Sequence, residues 1–289
     1  MEKERLNAVM FTLCAAALWG TSFPVVKIGL ENVNPLNFLM WRFLLATLVL
    51  LTVGLLSGTD FAKLLRPETA LLGLVMALAF LMQYLGQMGT TASEAAVLIN
   101  TSPIIVPPLG YMLISERLDV KKWPAVAFGV AGVLLMSGIA TAGKTPGFPV
   151  MGTIELLTSA LFTSVYIIIS KRSVPAGRPV DTILGSFIFA SVFVLAFTFV
   201  SGNASLSVWS TAFPAASVVY LSLFCTAMPF LLWFRGLRSL SATGSTVITL
   251  FEPVVGILIS VLFLREAFTA AAAAGTALIF LAIVIIGAR

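Results

Sequence analysis

An all-α integral membrane protein of ten transmembrane helices, arranged as two inverted five-helix repeats, follows from three observations: sparse charge, recurring apolar runs and an internal self-match. The 289 residues are 59% hydrophobic and only 10% charged, with a mean hydropathy of +1.06. Soluble domains carry roughly one-quarter charged residues, and a soluble fold could not hide this much apolar surface. The apolar runs are about 20 residues long, which at 1.5 Å per residue matches the roughly 30 Å hydrocarbon thickness.

Breaking the runs at polar residues, Gly and Pro gives spans near 7–30, 36–57, 69–89, 93–115, 123–141, 151–171, 181–201, 214–236, 240–264 and 268–288. The first run is too long for the apolar region of a signal peptide and is expected to remain as a span. Connections are short, the longest falling at 57–68 and 202–213, so no soluble domain is expected between spans.

Orientation follows from the basic residues. With a cytoplasmic start, the inside segments hold Lys3, Arg5, Lys63, Arg66, Arg117, Lys121, Lys122, Lys171, Arg172, Arg178, Arg235, Arg238 and Arg289. The outside holds Lys27, Lys144 and Arg265, with Arg42 inside the second span near its outer end. This positive-inside bias places both termini in the cytoplasm and assigns the basic pI near 9.5 to topology rather than to nucleic acid. A multi-pass protein of the cell inner membrane is expected.

The self-match lies at an offset of 150 residues, which sets Pro103 on Pro253, Glu116 on Glu266, Ala92 on Ala242 and Gly86 on Gly236. A second match near 143 sets Leu18-Trp19-Gly20-Thr21 beside Leu161-Phe162-Thr163-Ser164. The chain therefore divides into halves of five spans, 1–143 and 148–289. Five is odd, so the second half enters the membrane inverted, with Glu116 inside and Glu266 outside. Inverted repeats are a recurring architecture of secondary transporters, whose substrate sites lie near midplane between the repeats.

Leu250-Phe251-Glu252-Pro253-Val254-Val255-Gly256, then Phe263-Leu264-Arg265-Glu266-Ala267-Phe268-Thr269, resembles the signature of EamA-type drug/metabolite transporters. A weaker copy runs through Thr101-Ser102-Pro103-Ile104-Ile105 and Ile114-Ser115-Glu116-Arg117-Leu118, and Ala17-Leu18-Trp19-Gly20-Thr21-Ser22-Phe23 is similar to the opening of that family. The resemblance spans the whole chain and implies a secondary transporter exporting small metabolites, amino acids or related amines above all. Pro107-Pro108 departs from the family's pattern, which runs there through small and apolar residues. A flippase of lipid-linked substrates and a channel-like facilitator remain open as alternatives.

Candidate substrate contacts are the polar and aromatic residues at matching depth. These are Trp19, Thr21 and Ser22 on the first span, Gln83, Tyr84 and Gln87 on the third, and Asn100 and Ser102 on the fourth. The second half adds Phe162, Thr163 and Tyr166 on the sixth, Trp233 on the eighth, and Thr249 and Glu252 on the ninth. Glu252 is a carboxylate near mid-span, which costs about 2.5–3.5 kcal/mol unless it meets a partner or a cavity. It either lines the cavity, binding an amine-bearing substrate or a proton, or caps neighbouring donors where Pro253 opens the helix.

Pro253 frees the carbonyl of Thr249 and Pro103 that of Ile99, while Pro24 and Pro229 interrupt the first and eighth spans in the same way. Freed carbonyls survive at depth only where protein or water answers them. Trp19, Tyr84, Tyr166 and Trp233 could stack on a ring or an amine, although Trp and Tyr near span ends are more often interface anchors, the reading favoured for Tyr84 and Trp233. Glu155 and Ser159 share a helical face with Phe162, Thr163 and Tyr166. Gly129, Gly132, Gly138 and the 270–275 block suit close helix packing, which makes the fifth and tenth spans peripheral and a monomer or a weak homodimer equally compatible.

The chain has no histidine, so a Ser-His dyad, a zinc-binding H-E-x-x-H helix and a histidine general base are all excluded. No mid-span aspartate pair and no phosphate-cradling Gly-rich loop occurs, which argues against an intramembrane enzyme and against ATP drive. Cys14 and Cys225 both lie in apolar spans, so no disulfide framework, metal or other cofactor is expected.

Overall fold

The computed structural model describes residues 2–30, 33–60, 64–90, 95, 98–117, 119–136, 150–173, 179–264 and 270–287. Among them every regular element is a helix, the form in which an apolar segment satisfies its own backbone without water. The first half holds α1 (Glu2–Gly20), α2 (Ser22–Gly29), α3 (Pro35–Leu56), α4 (Pro67–Gly89), α5 (Ser102–Ile114) and α6 (Trp123–Met136). The second holds α7 (Val150–Ser173), α8 (Pro179–Val200), α9 (Ala212–Ser222), α10 (Met228–Leu237), α11 (Ala242–Thr249), α12 (Phe251–Leu264) and α13 (Ala270–Gly287).

Six runs are long and apolar enough to cross a membrane: Lys3–Val26, Pro35–Leu56, Pro67–Gly89, Val150–Ser173, Pro179–Val200 and Ala212–Leu237. Within the other four expected stretches lie the shorter helices α5, α6 and α13 and the divided pair α11 and α12. Glu266 and Gly138 lie outside the described residues.

Start signals at α3 and α4 are local. Asn34 accepts the Leu36 amide at 2.9 Å ahead of Pro35, and Thr69 Oγ1 accepts the Arg66 amide at 3.2 Å ahead of Pro67. The interruptions follow the prolines. At Thr21 the amide bonds Leu18 O at 3.3 Å, and at Thr101 the amide bonds Leu98 O at 3.4 Å. Both threonine hydroxyls return to those same carbonyls at 2.7 Å. Leu250 N reaches Val247 O at 3.3 Å between α11 and α12. Pro107 and Pro108, by contrast, lie inside a continuous α5.

Between α9 and α10 the chain widens into one π-helical stretch, Leu223–Ala227. Pro229 lacks the amide that would reach the carbonyl of Cys225, four residues back. π-helix occurs mostly as single-turn segments inside α-helices, and these are frequent at functional sites.

The main core gathers α3, α4, α7, α8 and α10 around Phe38, Phe43, Leu72, Phe187 and Phe234, all fully buried. A second cluster joins α6, α11, α12 and α13 through Val126, Ile248, Leu250 and Ile279. α6 packs on α13 at Gly132, where a Cβ would stand 2.7 Å from the Gly275 carbonyl oxygen and 2.8 Å from Ile279 Cγ1. Gly132→Ala is therefore expected to cost about 1–3 kcal/mol and to lower the melting temperature of the protein in detergent. Gly89→Ala, whose added methyl meets nothing closer than 3.9 Å, should melt with the wild type. Equal melting of the two variants would contradict the α6–α13 packing.

Candidate functional site

A cavity of about 110 Å³ lies where the interrupted helices meet. Each interruption turns polar side chains toward it: Trp19 and Ser22 flank the α1–α2 break, Asn100 and Ser102 the start of α5, and Thr249 and Glu252 the α11–α12 break. Gln83 of α4 and Thr163 of α7 add to the polar lining. The local sequence accounts for this. Where proline removes an amide, backbone and short polar side chains take over the bonding, and such irregular backbone is tolerated at depth only beside a cavity or other protein.

The apolar wall is aromatic. Tyr166 and Trp233 stack with centroids 6.1 Å apart at 23°, and Trp19 meets Phe230 edge-on at 5.3 Å. Trp233 is anchored by its indole N–H, which donates to Ser245 Oγ at 2.8 Å. This geometry offers ring faces to an apolar group or a cation.

Arg42 also lines the cavity and is only 2% exposed. Its Nε donates to Thr226 Oγ1 at 2.8 Å, Nη1 to Tyr84 Oη at 2.8 Å and Nη2 to the Cys225 carbonyl at 3.0 Å. The carbonyl freed by Pro229 thus receives its hydrogen bond from the guanidinium. Thr226 Oγ1 in turn donates to Leu221 O at 2.8 Å, and Phe80 lies under the guanidinium with its ring centroid 5.1 Å from Cζ.

Glu252 is half-buried on the cavity wall, and among the described residues nothing hydrogen-bonds to its carboxylate. Of the two expectations for this residue, the described contacts favour cavity lining over capping. Its backbone is pressed against α1, since a Cβ on Gly20 would stand 2.5 Å from the Glu252 carbonyl oxygen. A bulkier residue at position 20 would therefore move the acid.

Ten of the expected residues come together on this cavity: Trp19, Ser22, Gln83, Asn100, Ser102, Thr163, Tyr166, Trp233, Thr249 and Glu252. Four do not line it. Thr21 instead bonds Tyr220 Oη at 2.8 Å and Cys225 Sγ at 3.3 Å, tying the helix break to the π segment. Tyr84 is fully buried behind Arg42. Gln87 is buried one turn along α4 from Gln83, and Phe162 packs partly buried against the main core. Burial of Tyr84 and Trp233 removes the interface-anchor alternative for both.

Ser159 donates to the Ala79 carbonyl at 2.8 Å, joining α7 to α4 rather than facing the cavity. Arg42 is the residue that sequence reasoning missed, having been read as lying near a span end. A cation eight residues into an apolar span was the available signal. Phe80, Ile99, Ile167 and Phe230 also line the cavity, but in sequence they cannot be told from core. No cluster of His, Cys, Asp or Glu among the described residues could hold a metal ion.

A second cavity, about 390 Å³, is lined by Leu113, Ile114, Glu116, Lys171 and Arg172. Glu116 accepts the amides of Ala242 and Thr243 at 2.9 and 3.1 Å and the Thr243 hydroxyl at 3.2 Å. Lys171 Nζ donates to the carbonyls of Leu237 and Leu240 at 2.9 and 2.7 Å.

The model of the EamA-like transporter family matches the chain twice, over residues 6–138 and 150–288. An uncharacterized transporter of Archaeoglobus fulgidus is 27% identical over 292 residues, covering 99% of this chain and 87% of that protein. The uncharacterized transporter YetK of Bacillus subtilis is 24% identical over 279 residues, covering 92% and 82%. A protein of known crystal structure superposes with a TM-score of 0.79 over 96% of both chains at 20% identity, a likeness of fold alone.

The Arg42 bonds make a testable unit. Tyr84→Phe and Thr226→Val should each cost about 1–3 kcal/mol, because each strands a buried guanidinium N–H. Melting of the double variant should show less than the sum, since both act through one side chain. Strict additivity would mean that Arg42 does not couple them.

Proposed function

We propose, for a chain that belongs to the EamA-like transporter family and is thus a multi-pass membrane transporter, that its cargo is a small amine-bearing metabolite, amino acids foremost. The proposed action is export across the inner membrane, with both termini cytoplasmic. The observation that carries the reading is Glu252: a carboxylate on a cavity wall, without a hydrogen-bond donor among the described residues, in a cavity that Trp19, Tyr166 and Trp233 also line. A carboxylate and electron-rich ring faces attract the same ligand, an ammonium.

The mechanism we infer is alternating access between two inverted five-helix repeats, 1–143 and 148–289, in a ten-span protein. Several observations support it. The self-match at 150 residues pairs Pro103 with Pro253 and Glu116 with Glu266. The family model fits once to each half. The helix interruptions at Thr101 and Leu250 use the same three-residue backbone closure in the two halves. Inverted repeats supply two equivalent arrangements around one site, so exchange between them opens the cavity to each side in turn. α6 and α13 contribute no lining residue among those described and suit a scaffold role, in a monomer or a weak homodimer.

Proteoliposomes loaded with radiolabelled amino acids test the substrate. Glu252→Gln keeps the shape of the side chain and removes its charge, so transport is expected to fall at least about tenfold, while the melting temperature stays within a few degrees. Normal transport with markedly lower melting would make Glu252 a packing device and remove the amine reading. Topology has its own measurement: in a background without Cys14 and Cys225, single cysteines beside Glu116 and beside Glu266 are expected to react with an impermeant reagent from opposite sides. Labelling of both from one side would end the inverted-repeat proposal.

A further inference from the structure

The amine reading leaves Arg42 without a role beyond its three bonds, and its chemistry extends the reading to a substrate class. A guanidinium has five N–H donors and no acceptor. Three are used, on Thr226, Tyr84 and the Cys225 carbonyl. The remaining two, one on each terminal nitrogen, have no partner among the described residues, in a side chain that is 2% exposed and lines the cavity. All three acceptors are neutral, so none of these bonds offsets the positive charge, and a cation at membrane depth calls for a counter-charge.

The counter-charge on the same wall is Glu252. The described contacts contain no ion pair between the two, although both reach one cavity of about 110 Å³. A simple amine would satisfy Glu252 and leave Arg42 unpaired, and a simple anion would do the reverse. A ligand carrying both charges answers both and leaves the cavity neutral. Arg42 is already oriented by its three bonds and by the Phe80 ring 5.1 Å from Cζ, so little side-chain freedom is lost when an oxyanion arrives.

We propose that Arg42 binds the carboxylate of the cargo, so that this cavity selects zwitterions over simple amines. The inference rests on the amine reading above, with Arg42 as its specificity-determining residue. Guanidinium–carboxylate pairing through two N–H bonds is geometrically specific as well as strong.

The test uses the purified full chain in nanodiscs, with leucine and phenylalanine as zwitterions and leucinamide and phenylalaninamide as matched amines without a carboxylate. The wild type is expected to bind each acid at least tenfold more tightly than its amide, a measurement that needs no variant. Arg42→Gln and Arg42→Lys should each bring the acid-to-amide ratio down toward one. Glu252→Gln should weaken acid and amide together.

A wild-type ratio near one, or Arg42 variants that weaken acid and amide equally, would overturn the carboxylate role while leaving the amine reading standing. A Glu252→Gln variant that binds both normally would overturn the amine reading instead. Failure of all four compounds to bind the wild type would overturn both.

Discussion

The bonds of Arg42 are the interaction on which the rest of the site depends. One side chain joins α3 to Tyr84 of α4 and to Cys225 and Thr226 of the π-helical stretch. In water such bonds would contribute little net free energy, because solvent competes for every donor. In the bilayer the alternative is an unsatisfied polar group in hydrocarbon, so the network fixes how three helices meet. It also explains why Pro229 is tolerated: the carbonyl its missing amide would have bonded is answered by the guanidinium. Ser222 Oγ closes the unit by donating to the Arg42 carbonyl at 3.0 Å.

The same constraint shapes the cavity. A helix can be interrupted inside a membrane only where its backbone groups are still answered or covered, and at Thr21, Thr101 and Leu250 the chain turns through three-residue closures onto the carbonyls of Leu18, Leu98 and Val247. The side chains that line the cavity at these breaks are short and polar: Ser22, Asn100, Ser102 and Thr249. Aromatic side chains fill the rest because large rings give rigid walls at low entropy cost, and because Trp233 can satisfy its N–H on Ser245 while presenting its face. A polar floor and an aromatic wall are thus two results of one requirement, that irregular backbone at depth be covered.

Most of the cavity was legible in the sequence because polarity inside an apolar run is a strong signal and proline marks where helices open. Trp19, Asn100, Thr249 and Glu252 stand at such points. The signal failed where a polar group faces another helix: Thr21 and Tyr84 are spent on Cys225, Tyr220 and Arg42, pairings separated by up to 204 residues that no periodicity reveals. Phe230 and Phe80 were invisible for the opposite reason, since an aromatic in a span looks the same whether it meets a neighbour or a cavity. Run lengths were legible for the six long apolar segments. They were less so at α11 and α12, where apolar content continues across a break set by a single proline.

The Glu116 contact extends this logic to the far end of α11. An eight-residue helix leaves half of its amides without intrahelical partners, and its own cap, Ser241, takes only the amide of Gly244 at 2.9 Å. Glu116 takes the amides of Ala242 and Thr243, a charge-assisted arrangement at the positive end of the helix. Lys171 answers the carbonyls of Leu237 and Leu240 just before it. The turn between α10 and α11 is therefore held by two charges from elsewhere in the chain, one on each polarity of its backbone. Since α11 ends at Thr249, three residues before Glu252, the cavity carboxylate is tied through one short helix to Glu116. A displacement of α5 that carried Glu116 away would strip α11 of its anchoring acceptor, which makes the position of the site's acid, at the start of α12, depend on a bond formed at the far end of the helix before it.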